Sequence, residues 1–207
     1  MEPNTTADSE RRSLRSSLAD VVEKARAGDR TAFHYLVDRF QQDIYRMIYY
    51  RTRSQMDAED LTQDVFMKAF KNIHRLASPE VFRSWLYRIA VNRVRDHYRR
   101  QQVRSIFGFG STDDDNFEAS AETSVAPEAE GGLARRDFWR RVEQMLDRLS
   151  RMEREVFTLR FLDQLSIHEI GVTLKKNEST VKTHLYRALN KIKNLAGDLE
   201  EFWEGMS

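Results

Sequence analysis

The sequence predicts an all-α protein, with two small helical domains joined by a flexible acidic linker. Three observations carry that expectation. Apolar residues recur at helical spacing over most of the chain, the 207 residues include only three prolines and eight glycines, and one internal stretch loses its periodicity. Apolar side chains at every third or fourth position lie on one helical face and bury together. The period-two alternation of a half-buried strand is absent.

Composition limits the partners and the compartment. The net charge is +1, so no global field attracts nucleic acid, and any basic surface must come from charge segregated along the chain. Cysteine is absent, which excludes disulfides and thiolate metal sites and fits a reducing cytoplasm. Residues 1–12 lack the apolar core of a signal peptide, and no run of about 18 apolar residues occurs. A cytoplasmic protein with no membrane insertion is expected.

Residues 1–16 are polar and aperiodic and read as a flexible N-terminal tail. The first domain, 17–102, opens with a short helix from Leu18 to Ala27 that Gly28 stops, and Asp29 caps the next. There Phe33, Leu36, Val37, Phe40, Ile44, Met47 and Ile48 hold one stripe. Asp57 is the expected cap of a third helix, Ala58 to about Ile73, packed through Leu61, Val65, Phe66, Ala69, Phe70 and Ile73. Its outer face carries Asp60, Gln63, Asp64 and Lys68. Acids near a helix start are favoured by its partial positive charge, but Gln63 and Asp64 are poorly covered by that reason.

Ser78-Pro79-Glu80 reads as the start of a helix running to about Gln102, with Phe82, Trp85, Leu86 and Ile89 buried. Along another stripe lie Arg88, Asn92, Arg95 and Arg99, with Arg93, Tyr98 and Arg100 beside it. A solvated face normally alternates sign, whereas this one suits nucleic acid. Residues 103–134 hold Asp113, Asp114, Asp115, Glu118, Glu122, Glu128 and Glu130 among Gly, Ser, Ala and Pro, and read as the linker. A flexible chain of about 32 residues spans on the order of 30 Å. Phe107, Phe109 and Phe117 within it are unusual for a spacer.

The second domain, 135–196, begins with a helix through Phe138, Val142, Met145, Leu146 and Leu149. Ser150 with Glu153, and Ser166 with Glu169, have capping-box spacing, and the helix between them carries Val156, Leu159, Arg160 and Phe161. Asn177 caps a last helix in which Val181, Leu185, Ala188 and Ile192 form the buried stripe. The opposite stripe is Ser179, Lys182, Thr183, Tyr186, Arg187 and Asn190, with Thr180 at its edge. An ordinary amphipathic helix would also have a polar face, but a short capped helix directly before it makes a helix-turn-helix, whose second helix reads a DNA major groove. Residues 197–207 read as a C-terminal tail.

No Gly-rich phosphate loop, His-Glu-x-x-His or Gly-x-Ser-x-Gly occurs, and the five histidines are dispersed. No catalytic residue, metal or cofactor is expected, so binding is the supported activity.

The order of these parts resembles the extracytoplasmic-function (ECF) group of bacterial RNA polymerase sigma factors. The resemblance rests on Ala27-Gly28-Asp29 with Ala32-Phe33, Asp57 to Phe66, Phe82 to Asn92, and Thr180 to Ala188. It implies a sigma region 2 domain followed by a region 4 domain. Asp60, Gln63 and Asp64 would meet the clamp helices of the largest subunit of core RNA polymerase, and region 4 would meet the flap of the second-largest subunit. Asn92 with residues 73–82 would hold an extruded base of the −10 element of promoter DNA, and Arg88, Arg93, Arg95, Tyr98, Arg99 and Arg100 would line the DNA there. Ser179, Thr180, Lys182, Thr183, Tyr186 and Arg187 would face the −35 element. An anti-sigma factor is a further implied partner. The competing expectation is a stand-alone helix-turn-helix regulator that binds DNA as a dimer.

Overall fold

A computed structural model of the chain describes residues 18–106 and 144–204, and every regular element among them is helical. The chain divides into two compact units.

In the first unit, α1 spans residues 18–26. Gly28, at φ +98°, donates its N–H to the Ala25 carbonyl at 3.1 Å and turns the chain. Positive φ is open to glycine without the clash a Cβ would bring. Helix α2, Arg30–Thr52, starts where the Asp29 carboxylate accepts from the Thr31 and Ala32 amides at 2.8 and 3.1 Å. It ends at Arg53, whose left-handed backbone (φ 57°) returns an N–H to the Tyr49 carbonyl.

Helix α3, Gln55–Asn72, corrects the expected cap. Ser54 is the N-cap and accepts from the Asp57 amide at 3.2 Å. The left-handed Arg53 turns the chain early, so Ser54 takes the extended cap conformation and Asp57 falls inside the first turn. There its charge still favours the helix start. Single-turn 3-10 segments at Ile73–Arg75 and Pro79–Val81 follow, and α4 runs Phe82–Ile106. Ser78 makes no side-chain cap bond, because Pro79 opens the 3-10 turn and not the α-helix itself. The helix also extends past the expected end near Gln102.

Leu36, Ile44, Met47, Ile48, Val65 and Leu86 are completely buried between these helices. Each such side chain contributes about 1.5–3 kcal/mol on leaving water, against about 0–1 kcal/mol for an exposed ion pair, so apolar packing sets the unit's stability. Phe40 and Phe82 join α2 to α4 with ring centroids 5.5 Å apart. Phe70 departs from the packing face expected for it: its ring meets Phe33 edge-on at 5.0 Å but stays 48% exposed.

In the second unit the described part of α5 is residues 144–147, followed by α6 (Arg151–Phe161), α7 (Ile167–Leu174) and α8 (Glu178–Glu204). Both capping boxes form, with the Ser150 and Ser166 amides donating to Glu153 and Glu169 at 2.9 and 2.8 Å. Leu146, Leu149 and Ala188 form a buried cluster, with Phe157 and Ile192 packed against it. Phe161, on α6, is half exposed. Helix α8 extends past residue 196 into the stretch expected to be a tail. Phe107, Phe109, Phe117, Phe138 and Val142 lie outside the described residues.

Gly171, in α7, is where the turn comes closest to the helix before it. A Cβ there would stand 2.8 Å from the Lys176 carbonyl oxygen, a backbone atom held in place because the Lys176 amide donates back to Gly171. Alanine is the better helix former by about 1 kcal/mol, but overpacking against backbone costs about 1–3 kcal/mol and should win. Gly171→Ala is therefore expected to lower the denaturant midpoint of the full-length protein; an unchanged or higher midpoint would show that the turn has slack.

Candidate nucleic-acid interface

The turn between α7 and α8 is built from local bonds. Lys175 ends α7 in a left-handed conformation (φ 54°), which directs the chain sharply into Asn177. Asn177 Oδ1 then accepts from the Thr180 amide at 2.8 Å and the Ser179 hydroxyl at 2.9 Å, as its predicted cap role requires. The α8 stripe of Val181 and Ala188 is fully buried, and the opposite stripe of Ser179, Lys182, Thr183, Tyr186, Arg187 and Asn190 is exposed. Tyr186 is 67% exposed.

Local bonds rank the predicted residues. The Ser179 hydroxyl is engaged by the cap, Thr180 is half-buried, and the Thr183 hydroxyl donates to the Ser179 carbonyl at 2.9 Å. Lys182, Tyr186 and Arg187 therefore offer the longest reach and the strongest charge. Sequence reasoning missed Lys175 and Lys176, exposed in the turn itself, because they fall between the two periodic patterns. It also missed the Glu178 carboxylate, 3.2 Å from His168 Nδ1 and 3.9 Å from Lys182 Nζ, which bridges the first turns of α7 and α8.

Helix α8 is held from behind by Glu153, which is 5% exposed. Its carboxylate accepts from Lys191 Nζ at 2.7 Å and from the Ser150 amide. Lys191 and then Ser150 hold the Glu153 carboxyl at about 2, below the usual 4.5, against the opposing effect of burial.

In the first unit the basic face of α4 is divided. Asn92, Arg99 and Arg100 are exposed, and Arg88 and Arg95 are half-buried. Arg93 turns toward α3, 3.9 Å from Asp64, and His97 lies 3.7 Å from Asp57. The Tyr98 hydroxyl donates to the Arg51 carbonyl at the end of α2. Arg93 and Tyr98 thus also hold α4 to its neighbours, a role that the stripe pattern could not separate from DNA contact.

On α3, Asp60 and Gln63 are exposed and Asp64 is half-buried beside Arg93. Gln63 lines a groove of about 720 Å³ between α2 and α3, floored by Phe33, Val37, Tyr45, Phe66 and Phe70. Met67 and Phe70 are about half exposed at its edge. Burial first, and then the Glu59 carboxylate, push the Tyr45 phenol above its ordinary value and keep it a neutral donor. Among the described residues no cluster of acids and histidines could hold a metal ion, and no helix is long and apolar enough to cross a membrane.

Comparison with known proteins follows the same division. Residues 36–104 match sigma-70 region 2 and residues 139–192 match sigma-70 region 4, together more than half of the chain. The ECF RNA polymerase sigma factor BldN of Streptomyces coelicolor is 36% identical over 183 residues, covering 87% of this chain and 66% of that protein. SigW of Bacillus subtilis is 28% identical, covering 86% of this chain and 96% of that protein. The sigma-E factor of Escherichia coli K12 is 29% identical, with 84% and 91% covered. Among solved structures, CnrH bound to the cytosolic domain of CnrY matches with a TM-score of 0.63 at 24% identity, covering 87% of this chain and 97% of that one. The sigma factor RpoE from Bartonella quintana, bound to the anti-sigma factor NepR, gives 0.61 at 21%, with 80% and 96% covered. At these identities the two structures bear on the fold alone.

Glu153→Gln is expected to leave Lys191 without its carboxylate and to destabilise the second unit by about 1–3 kcal/mol at neutral pH. Because the folded carboxyl titrates near 2 and the unfolded one near 4.5, its contribution is fully present above about pH 4.5 and is lost as pH falls toward 2. Thermal melts between pH 6 and 2.5 should therefore converge for wild type and variant at the acid end. Parallel curves across that range would deny Glu153 this role.

Proposed function

The chain belongs to the ECF group of the sigma-70 family, and from that premise we propose that it binds core RNA polymerase and directs promoter-specific transcription initiation. The observation that carries the reading is α8, which presents Lys182, Thr183, Tyr186 and Arg187 outward on a chain whose other unit matches region 2.

In this reading α8 enters the major groove at the −35 element. Lys182 and Arg187 are donors suited to guanine edges and phosphates, and Tyr186 adds an apolar surface with a polar tip. Ser179 and Thr180 mainly set the helix start, and the methyl of Thr183 is suited to a thymine methyl. At the −10 element Asn92 offers an amide that both donates and accepts, which suits the edge of a base taken out of the stack. Extrusion costs a few kcal/mol, so neighbouring groups of residues 73–82 must supply matching contacts. Arg88, Arg95, Arg99 and Arg100 hold phosphates, with Arg93 and Tyr98 fixing α4 behind them.

Docking to core uses the other side of the first unit. Asp60 and Gln63 on the open face of α3, with Asp64 beside them, meet the clamp helices of the largest subunit, and the second unit meets the flap. The apolar groove next to Gln63 makes a protein contact more favourable there than a purely ionic one, because exposed ion pairs contribute little. The protein works where core polymerase works, in the cytoplasm, and as an initiation factor it needs no catalytic residue of its own. An anti-sigma factor is proposed as a further partner, since solved neighbours of this fold include one bound to such a factor. A stand-alone regulator would leave the region 2 match and the α3 groove without use.

Purified protein added to core polymerase is expected to give transcription that depends on both −35 and −10 sequences; failure to form a holoenzyme would end the proposal. Asn92→Ala should reduce promoter opening at least tenfold while changing duplex binding much less, read by permanganate reactivity and by gel shift. Equal losses in both readouts would remove Asn92 from the opening step. Lys182→Ala should weaken duplex binding by about 1–3 kcal/mol and relax preference within the −35 element only.

A further inference from the structure

The stretch 175–193 carries six lysines and arginines and a single acid, Glu178. It is the first residue of α8, exposed, one turn ahead of Lys182 and two ahead of Tyr186. An acid at a helix start is favoured wherever its side chain points, and Asn177 already caps this helix through the Thr180 amide. The helix start therefore does not explain where the carboxylate is held. Its Oε1 lies 3.2 Å from His168 Nδ1 on α7, and its Oε2 lies 3.9 Å from Lys182 Nζ. A carboxylate only accepts, so the imidazole donates through Nδ1. The separation from Lys182 exceeds a hydrogen bond, so Oε2 keeps room to accept another donor. The ammonium nearby offsets the loss of water when that donor arrives.

A carboxylate repels phosphate, so what it can accept from on DNA is a base edge. The first residues of a recognition helix are the ones that reach base edges. In the major groove the donors are the amino groups of cytosine and adenine. Adenine sets its N7 acceptor beside the amino group, which opposes a carboxylate, whereas cytosine itself sets none.

We propose that Glu178 is a specificity-determining residue of the −35 contact, accepting from the N4 amino group of a cytosine in the major groove. The inference rests on the promoter-binding function proposed above and adds which base is read. Holoenzyme is to be competed for promoter fragments randomised across the −35 element. Wild type should favour cytosine at one position by at least about fivefold. With Glu178→Ala that preference should fall to near unity while the other positions keep theirs. With Glu178→Gln, whose amide both donates and accepts, it should move to adenine. Denaturant midpoints and binding to core, measured by fluorescence anisotropy, check that both variants are folded. A cytosine preference that survives Glu178→Ala overturns the inference. So does a variant that binds every sequence more tightly with all preferences in place, which would make Glu178 a charge and not a reader. If wild-type holoenzyme shows no preference anywhere in the −35 element, it is the promoter-binding function that fails.

Discussion

The buried carboxylate of Glu153 is the constraint on which the second unit depends. A charge out of water is tolerated only when it is paired and hydrogen-bonded. Glu153 meets that requirement with the Ser150 amide at the start of α6 and the Lys191 ammonium on α8. One side chain thus caps one helix and anchors another, thirty-eight residues away in sequence. Buried Val156, Leu159, Val181 and Ala188 pack the helices of this unit, and the Glu153–Lys191 pair adds one directed tie between α6 and α8. The buried stripe of Val181 and Ala188 decides which face of α8 points outward, and the Glu153–Lys191 pair ties that helix to α6, so the positions of Lys182, Tyr186 and Arg187 follow from both.

In the first unit, the polar residues of α4 are divided between packing and the solvent-facing surface. Arg93 approaches Asp64, His97 approaches Asp57, and Tyr98 bonds the end of α2, so the polar groups of α4 divide between holding the helix and facing solvent. These pairs are partly exposed and individually contribute little. Their value lies in orientation: with the α3 side occupied by Arg93 and the α2 side by Tyr98, Asn92 and Arg99 are left on the outer surface. Asp64 then serves both faces, since it stands between the α4 basic stripe and the open side of α3 that carries Asp60 and Gln63.

Much of this was legible in the sequence where a local rule had no competitor. Asp29, Gly28, Asn177 and both capping boxes act within four residues of themselves, so their roles could be read without tertiary information. The stripes of α2 and α8 were equally clear, because long helices average out single exceptions. The cap of α3 was misread because Asp57 and Ser54 are both good caps, and only the left-handed Arg53 between α2 and α3 selects Ser54. Phe70 obeys the packing period yet lies half exposed, because a periodic pattern reports which face an aromatic shares and not whether a neighbouring helix covers it. The apolar groove, the division of the α4 arginines and the Glu153–Lys191 pair all join residues distant in the chain. Spacing rules could not supply them.

The central claim is that two separate units of one chain read two promoter elements while the chain is held on core polymerase. Footprinting on a promoter fragment tests it most directly, with the protein alone, core alone and both together. The account predicts two protected segments at −35 and −10 only when both components are present, with reactive unpaired bases in the downstream segment. A single palindromic footprint produced by the protein without core would contradict it.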